Sequence, residues 1–236
     1  MKTWLIIPDL HFPYQDKAYT KLITKVIKIV KPYGIVQLGD AIDCFQISRY
    51  PKDPERVNTV FDDIQEYRFQ LIEWSELCNG MYYQLEGNHE ARLSKFIWEK
   101  APALNKMVRT IPELLGFDSN PRLKWFPISR WNACKIADTT IHHGVYFGRH
   151  LAVSGLDKYP TKFVCGHTHR VQVAYSDTRF HATLGHGSDE SLTSHNATPT
   201  GWSQAFGLLH DTNGIASLET ILVDRGRCVL HGELIK

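Results

Sequence analysis

The first 90 residues alternate between short apolar runs and amphipathic segments, and this alternation restricts the fold more than any other feature of the chain. Apolar runs over residues 4–7, 35–38 and 81–85 have the length and composition of buried strands. Between them, residues 17–30 and 57–77 carry apolar side chains at helical spacing. This strand-helix-strand-helix-strand order predicts a mostly parallel sheet with helices packed against it.

From about residue 124 onward, the pattern changes to short strands separated by turn residues, with few helices. We expect these strands to form a second sheet packed on the first, residues 218–234 to form a hairpin, and residues 186–201 to form the longest loop. The fold class is therefore α/β, with two packed mixed sheets flanked by helices in a single domain over residues 1–236. The predicted strands of this second half cover residues 133–136, 139–142, 163–165, 171–175 and 180–184.

The composition is that of a globular protein. Hydrophobic residues make up 43% of the chain and charged residues 22%, and the net charge of +2 does not favour a protein that coats nucleic acid. No run approaches the roughly 18 apolar residues that span a membrane. The five cysteines are scattered, without a C-x-x-C pair, which argues against both a disulfide framework and a thiolate zinc site. We therefore expect a cytoplasmic protein that does not contact a membrane.

Five short segments rich in metal-binding side chains follow apolar strand-like runs. The carboxyl ends of parallel strands meet at one edge of a sheet, so these side chains can converge. Carboxylates and imidazoles without thiolates favour Mn, Fe, Zn or Ni, and eight such groups are too many for one catalytic ion with open positions. They suit two ions that share a carboxylate, the arrangement that clamps both oxygens of an in-line displacement at phosphorus. The segments are Asp9-Leu10-His11, Gly39-Asp40-Ala41-Ile42-Asp43, Gly87-Asn88-His89-Glu90, His142-His143-Gly144 and Gly166-His167-Thr168-His169.

These segments resemble, in order, the five signature blocks of the calcineurin-like metallophosphoesterases: D-x-H, G-D-x-x-D, G-N-H-D/E, x-H-G and G-H-x-H. The resemblance spans Asp9 to His169, which is most of the chain. It implies a four-layer fold, in which two mixed sheets lie between helices. It also implies hydrolysis of phosphate esters with two divalent metal ions, Mn²⁺ first, with Fe, Zn or Ni as alternatives.

The resemblance also implies a role for each matching residue. Asp40 would bridge the two ions, and a hydroxide held between them would attack the phosphorus. His89 would protonate or stabilise the leaving oxygen, and Asp43 would accept a hydrogen bond from His89. Asn88 would contact the substrate. Outside the matching blocks, Arg92 lies two residues after Glu90 and is a further candidate for a substrate contact. The first ion would be bound by Asp9, His11, Asp40 and His169, and the second by Asp40, Asn88, His143 and His167.

Several residues have two interpretations. His143 rather than His142 matches the family histidine, because it directly precedes the glycine. Asp43 could instead cap a helix N-terminus, and Arg92 could either contact phosphate or face solvent. Basic and aromatic residues alternate in a further stretch, which is typical either of a surface for single-stranded nucleic acid or of edge strands. That stretch contains Arg122, Lys124, Trp125, Arg130 and Trp131.

The long loop over residues 186–201 contains three polar residues that could border the pocket. They are His186, Asp189 and His195.

The blocks also bear on the substrate. The protein-phosphatase branch carries G-D-x-V-D-R-G and lacks the second histidine of the last block, whereas here Cys44 and Phe45 follow Asp43 and the last block is complete. The pattern is more similar to prokaryotic and phage phosphodiesterases and nucleases. We therefore expect a substrate with phosphodiester bonds, a nucleotide or nucleic acid. One alternative is a phosphomonoesterase. The other is an inactive binding scaffold, and the complete ligand set disfavours only this second alternative.

Overall fold

A computed structural model of the chain describes residues 1–128, 133–146, 148, 150–193 and 200–236. The first sheet is built around four parallel strands that are neighbours in chain order. The helices between the first three of them are α1 (Lys17–Val30) and α2 (Val60–Leu77), so the predicted alternation is confirmed. The four strands are β1 (Lys2–Ile7), β2 (Gly34–Gln37), β3 (Met81–Leu85) and β4 (Leu123–Phe126).

The second sheet has five strands in the order β5-β6-β7-β9-β8. Its three central strands run parallel, and the two outer strands are antiparallel to their neighbours, so the sheet is mixed. Helix α5 (Leu151–Lys158) packs on β8 and β9. The strands are β5 (Cys134–Ile136), β6 (Thr139–His142), β7 (Lys162–Cys165), β8 (Val171–Ser176) and β9 (Arg179–Leu184).

The last long strands belong to the first sheet, and the expectation that the whole second half forms the second sheet is wrong. β10 (Ala205–Thr212) lies antiparallel to β1, and β11 (Ile215–Leu222) pairs with β10, while β4 closes the opposite edge. Buried apolar side chains lie on both faces of β10, so it needs cover on both sides. The centre of the first sheet provides that cover.

The predicted hairpin over 218–234 is also wrong as one unit. β11 ends at Leu222 and takes β10 as its partner over eight paired positions. A separate hairpin follows, formed by β12 (Cys228–Leu230) and β13 (Glu233–Ile235). The longer partner strand offers more backbone hydrogen bonds than the short terminal segment can, which explains the division.

Helix α2 begins at Val60 rather than at residue 57. The Thr59 and Asp62 side chains each accept a hydrogen bond from the other residue's backbone N–H, at 3.2 and 2.8 Å, which forms a capping box. Val57 lies outside the helix and is exposed. Four described helices were not predicted, namely α3 (Ala91–Lys100), α4 (Ile111–Leu115), α5 and α6 (Glu190–Thr193).

Two hydrophobic cores hold the layers together. Alternate side chains of β1 point in opposite directions: Leu5 and Ile7 pack beneath α1 and α2, while Trp4 and Ile6 pack between the two sheets. The architecture is therefore helix, sheet, sheet, helix, as expected. All five cysteines are buried free thiols. Among the described residues, no helix has the length and apolar character needed to cross a membrane.

Candidate metal centre

Four of the seven proposed metal ligands have left-handed backbone conformations. The φ angles are 55° at His11, 50° at Asp40, 70° at His167 and 57° at His169. Each such conformation costs on the order of 1 kcal/mol or more for a residue with a side chain, so it persists only where surrounding contacts hold it. The backbone N–H of His11, for instance, donates to the Asp40 carbonyl at 2.9 Å. These four residues therefore have strained backbone conformations, which direct their side chains toward the ligand groups.

The first group of ligand atoms comes from Asp9, His11 and His169. The two Nε2 atoms of the histidines are 3.0 Å apart, and His169 Nε2 is 3.3 Å from Asp9 Oδ2. His11 Nδ1 is 3.0 Å from Asp43 Oδ2, and because a carboxylate accepts, Nδ1 carries the proton. The lone pair of His11 Nε2 therefore points at the other two ligands.

The second group converges on Asp40. His143 Nε2 is 3.3 Å from Asp40 Oδ2, 3.1 Å from Asn88 Oδ1 and 3.2 Å from His167 Nδ1. His143 Nδ1 donates to the Leu38 carbonyl at 2.9 Å, so Nε2 is the ring nitrogen that faces the other ligands. Burial lowers the pKa of His143, but the Asp40 and Asp9 carboxylates raise it to about 10, so Nε2 holds a proton that a bound cation would replace. Acceptor atoms that face one another at these distances fit a cation, and both donor sets suit a borderline divalent metal.

The electrostatics of the two groups suit metal binding. Burial lowers the pKa of His169 to about 4, so the imidazole is neutral, as a ligand must be. Burial opposes ionisation of Asp40, but the neighbouring His143 and His89 rings hold its pKa well below the ordinary value. Burial raises the pKa of Asp9. A bound cation would favour the ionised form of both carboxylates.

Glu90 is a buried residue to which the sequence analysis gave no role. Its Oε2 accepts from the backbone N–H groups of Asp40 and Gly87 at 2.9 and 2.8 Å. Its Oε1 accepts from those of Ala41 and Ile42 at 2.6 and 3.1 Å. Burial and the Asp40 charge raise the pKa of Glu90 to about 7, while the backbone donors lower it. Glu90 thus ties the loop after β2 to the loop after β3. The only signal in the sequence is its place beside His89.

Two glycines let the loops approach the carboxylates. A Cβ at Gly87 would lie 2.0 Å from Asp40 Oδ1, and one at Gly166 would lie 2.2 Å from Asp9 Oδ1. Any larger residue would therefore displace a ligand carboxylate. This close approach explains why glycine precedes the ligands of both segments.

His89, Asp43 and Arg92 form a connected group beside the ligands. His89 Nδ1 is 2.9 Å from the Asp43 carbonyl and 3.2 Å from its Oδ2, so Nδ1 donates and Nε2 carries a lone pair. Arg92 donates to the Asp43 carbonyl at 2.7 Å and lies 3.0 Å from His89 Nε2. Burial lowers the pKa of His89, but the Asp40 and Asp43 carboxylates raise it by more. The net result is a pKa above the ordinary value for histidine.

The structure distinguishes between three of the alternatives left open by the sequence. His143 faces Asp40, whereas His142 Nδ1 accepts from the N–H of Gly144 at 3.0 Å. Asp43 does not cap a helix: the nearby 3₁₀ turn begins after Cys44 and has no side-chain cap. The Arg92 side chain is only 18% exposed, so it does not simply face solvent.

The basic and aromatic stretch forms an edge strand in its described part. Lys124 and Trp125 lie on β4, at the edge of the first sheet, and Trp125 packs against the helix-side core. Arg122 donates to backbone carbonyls near the end of α2. The edge-strand interpretation is therefore confirmed for Lys124 and Trp125, whereas Arg122 lies in the turn before β4. Arg130 and Trp131 lie outside the described residues.

Among the described residues of the polar segment 186–201, His186 contacts a proposed ligand and Thr193 lines the cavity above the ligands. His186 is buried and stacks on the His169 ring, with the ring centroids 5.3 Å apart. The Asp189 carboxylate accepts from the backbone and hydroxyl of Ser191 and so serves the local turn. His195 lies outside the described residues. Of the proposed loop residues, His186 alone among those described supports a ligand.

A cavity of about 660 Å³ opens above the ligands. Asn88, His89 and Arg92, the residues expected to meet substrate, line it. Sequence reasoning missed Arg56 and Trp202, which also line it and come from segments without a recognisable pattern. Further lining side chains are the aromatic residues Tyr14, Phe45 and Tyr50 and the basic residue Arg170.

A fold with two packed sheets and ligand loops at strand ends defines a class of metal-dependent phosphoesterases, and the chain matches that class. The model of the calcineurin-like phosphoesterase family matches residues 3–206, so the chain belongs to this family. Family membership, with the carboxylate and imidazole groups described above, supports a metal-dependent phosphoesterase that binds divalent metal.

Two phage proteins are similar in sequence. The Gene 54 protein of Mycobacterium phage L5 is 26% identical over 205 residues, covering 81% of this chain and 76% of the phage protein. The Gene 54 protein of Mycobacterium phage D29 is 22% identical and covers 99% and 98% of the two chains.

Similar solved structures include vacuolar protein sorting 29 from Cryptosporidium parvum. It is 16% identical, with a TM-score of 0.49, and the match covers 99% of this chain and 94% of that one. Another is YfcE, a phosphoesterase from E. coli, at 14% identity and a TM-score of 0.44, with 94% and 100% covered.

Proposed function

We propose that this protein hydrolyses phosphodiester bonds of nucleotides or nucleic acid with two divalent metal ions. The observation that carries the proposal is the pair of adjoining ligand groups at the floor of one cavity, with Asp40 between them. Asp9, His11, Asp40 and His169 would hold one ion. Asp40, Asn88, His143 and His167 would hold the other. Mn²⁺ is the first candidate, with Fe, Zn or Ni as alternatives.

The bound ions would activate water and neutralise charge on the phosphoryl group. The surrounding side chains fix the direction of the ligands. Asp43 accepts from His11 Nδ1, and the Leu38 carbonyl accepts from His143 Nδ1, so neither ring can turn without losing a hydrogen bond. This preorganisation lowers the cost of assembling the site when metal and substrate bind.

His89 is the proposed acid for the leaving oxygen. Its Nδ1 proton is held by Asp43, so a second proton would reside on Nε2, the atom beside the cavity. The Asp40 and Asp43 carboxylates favour that protonated form. In the present arrangement Nε2 accepts from Arg92. A substrate phosphate would draw the Arg92 guanidinium toward itself and free Nε2 for the proton.

The lining of the cavity favours a diester over a monoester. A diester carries an organic group on each side of the phosphorus, and both groups need a surface to rest on. Tyr50 and Trp202 supply accessible aromatic surface in the cavity, and Trp202 packs edge-to-face on His169, with the ring centroids 4.3 Å apart. Aromatic side chains are the usual platforms for nucleobases.

A metal and substrate panel tests the proposal. Purified protein is stripped with EDTA, reloaded with Mn²⁺, Fe²⁺, Zn²⁺ or Ni²⁺, and assayed on bis-p-nitrophenyl phosphate and p-nitrophenyl phosphate. We expect metal-dependent turnover with the diester preferred. A strong preference for the monoester would establish the phosphomonoesterase alternative, and no turnover with any metal would overturn both.

His89→Asn and Asp40→Asn separate the acid from the ligands. We expect His89→Asn to retain bound metal while turnover falls roughly 10²–10⁴-fold, because only proton transfer is lost. Asp40→Asn should lose both metal and turnover, because both ligand groups share this carboxylate. Metal content is measured by elemental analysis alongside kcat. A fully active His89→Asn enzyme would contradict the assignment.

A further inference from the structure

The Arg56 side chain lines the cavity, outside the ligand groups and their immediate partners, and neighbouring groups fix its position. Its guanidinium carbon lies 4.4 Å from the ring centroid of Tyr14 and 4.6 Å from that of Phe45. Its Nη2 donates to the Leu192 carbonyl at 2.7 Å. Two aromatic rings and one carbonyl thus fix a side chain that otherwise has much rotational freedom.

The charge of Arg56 is only weakly balanced within the described chain. The side chain is 18% exposed, and the carboxylate paired with it, on Asp53, is 3.6 Å away and 47% exposed. Taking a cation out of water costs free energy unless a partner compensates it. Aromatic rings and a carbonyl compensate in part, and an anion in the cavity would complete the compensation.

Two other described arginines of the cavity are held by different groups. Arg92 contacts the Asp43 carbonyl and His89. Arg170 donates from both Nε and Nη2 to the Thr200 carbonyl. Arg56 uses its faces for ring contacts, while its N–H donors lie in the guanidinium plane, a geometry suited to a phosphate. Arg56 therefore offers the cavity a fixed cation whose donors suit a phosphate.

We propose that Arg56 binds a second phosphate of the substrate, so that the preferred substrate is a nucleotide chain carrying a phosphate next to the scissile diester. This inference rests on the proposed function, because it assumes that the scissile phosphate lies at the ligand groups. The exposed Tyr50 ring, which lines the same cavity, would receive the intervening nucleoside.

The test compares thymidylyl-thymidine with the same dinucleotide bearing a terminal phosphate, on either the 5′ or the 3′ end. We expect kcat/KM for one of the phosphorylated forms to exceed that of the plain dinucleotide by about 10-fold or more. In Arg56→Gln this ratio should fall toward one, and Arg56→Lys should retain part of it. The ratio isolates phosphate recognition, because a general disturbance of the loop would slow all three substrates alike.

Arg225→Gln is the matched control. Arg225 also lies beside an aspartate, with Nε 3.8 Å from Asp224 Oδ1, but its side chain is 88% exposed and does not line the cavity. It should keep the wild-type ratio. An equal ratio in wild type and Arg56→Gln, or no preference for phosphate in the wild type, would overturn this inference while hydrolysis of bis-p-nitrophenyl phosphate upheld the proposed function. No hydrolysis of any diester would instead overturn the proposed function.

Discussion

A single carboxylate, Asp43, illustrates how closely the residues of this site depend on one another. It accepts from His11, a proposed metal ligand, and from His89, the proposed acid. Burial opposes its ionisation, but these two hydrogen bonds hold its pKa far below the ordinary value. Replacing Asp43 would therefore disturb metal binding and proton transfer together, and kinetics alone could not separate the two effects.

Glu90→Gln gives a sharper prediction at the residue scale. The amide would present an NH₂ group to two backbone N–H donors, so two buried hydrogen bonds would be lost. We expect the free energy of unfolding to fall by roughly 2–5 kcal/mol, and metal affinity to fall with it because Asp40 loses its support. Denaturant unfolding and metal titration measure the two effects.

The neighbouring Glu86→Gln is the control, because Glu86 accepts from one backbone N–H, that of Ile128, at 2.9 Å. The free energy of unfolding of Glu86→Gln should fall by less, about 1 kcal/mol. If the two variants unfolded at the same denaturant concentration, the proposal that Glu90 stabilises the loops after β2 and β3 would be wrong.

The ligands could be placed from sequence because each belongs to a short motif at a strand end. Glu90 lies in one of those motifs, but its four backbone partners come from two loops that only folding brings together. Arg56 and Trp202 lie in segments without periodicity, and nothing local indicates that they reach the cavity. Sequence therefore identified the chemistry of the site but not the wall around it.

At the scale of elements, helix α2 carries a buried carboxylate with an unusual environment. Both oxygens of Asp63, and Oε1 of Gln46, are buried without a hydrogen-bond partner in the described part of the chain. Burial raises the pKa of Asp63 to about 7. The segment between Cys44 and α2 carries Phe45, Tyr50 and Arg56 to the cavity, so the stability of this helix start bears on the site.

The raised pKa predicts a pH-dependent stability. An unfolded Asp loses its proton near pH 4, whereas folded Asp63 keeps its proton to about pH 7. The folded state is therefore favoured at low pH, and this advantage is lost as the pH rises from about 4 through 7. We expect Asp63→Asn to be more stable than the wild type by roughly 1–2 kcal/mol at pH 8 and equally stable at pH 4.

Urea unfolding across this range measures the difference. Asp118→Asn, at an exposed carboxylate, controls for the change in net charge and should show no such trend. A difference between Asp63→Asn and wild type that did not vary with pH would contradict the explanation.

At the scale of the whole molecule, the proposed ligands come from both sheets. Asp9, Asp40 and Asn88 follow strands of the first sheet, and His143 and His167 follow strands of the second. Bound metal would therefore link the two sheets at one end of their shared core. The metals would bind the folded chain far more tightly than the unfolded one.

This arrangement predicts a metal-dependent melting temperature. With metal at about 100 times its Kd, the folded state should gain roughly 2.7 kcal/mol per site. Calorimetry of the EDTA-treated protein, with and without Mn²⁺, measures the gain. Asp40→Asn should melt at the same temperature in both conditions. A wild-type melting temperature that did not change when Mn²⁺ was added would contradict metal binding.

The alternation of helices and strands predicted three of the four parallel strands of the first sheet, β1 to β3, and the resemblance implied the four layers. The return of β10 and β11 to the first sheet was not predictable, because local patterns indicate that a segment is a strand but not which distant strand it joins. The same limit explains the wrong hairpin, since β11 alternates equally well for either partner.

The pairing of β1 with β10 has a consequence for biosynthesis. Trp4 and Leu209 are partners although about 200 residues separate them. At a synthesis rate of about 5–20 residues per second, β1 leaves the ribosome roughly 10–40 s before its antiparallel neighbour is made. Throughout that interval one edge of β1, the strand that leads into Asp9 and His11, is open to other nascent chains. Chaperone contact during translation would fall on this edge first.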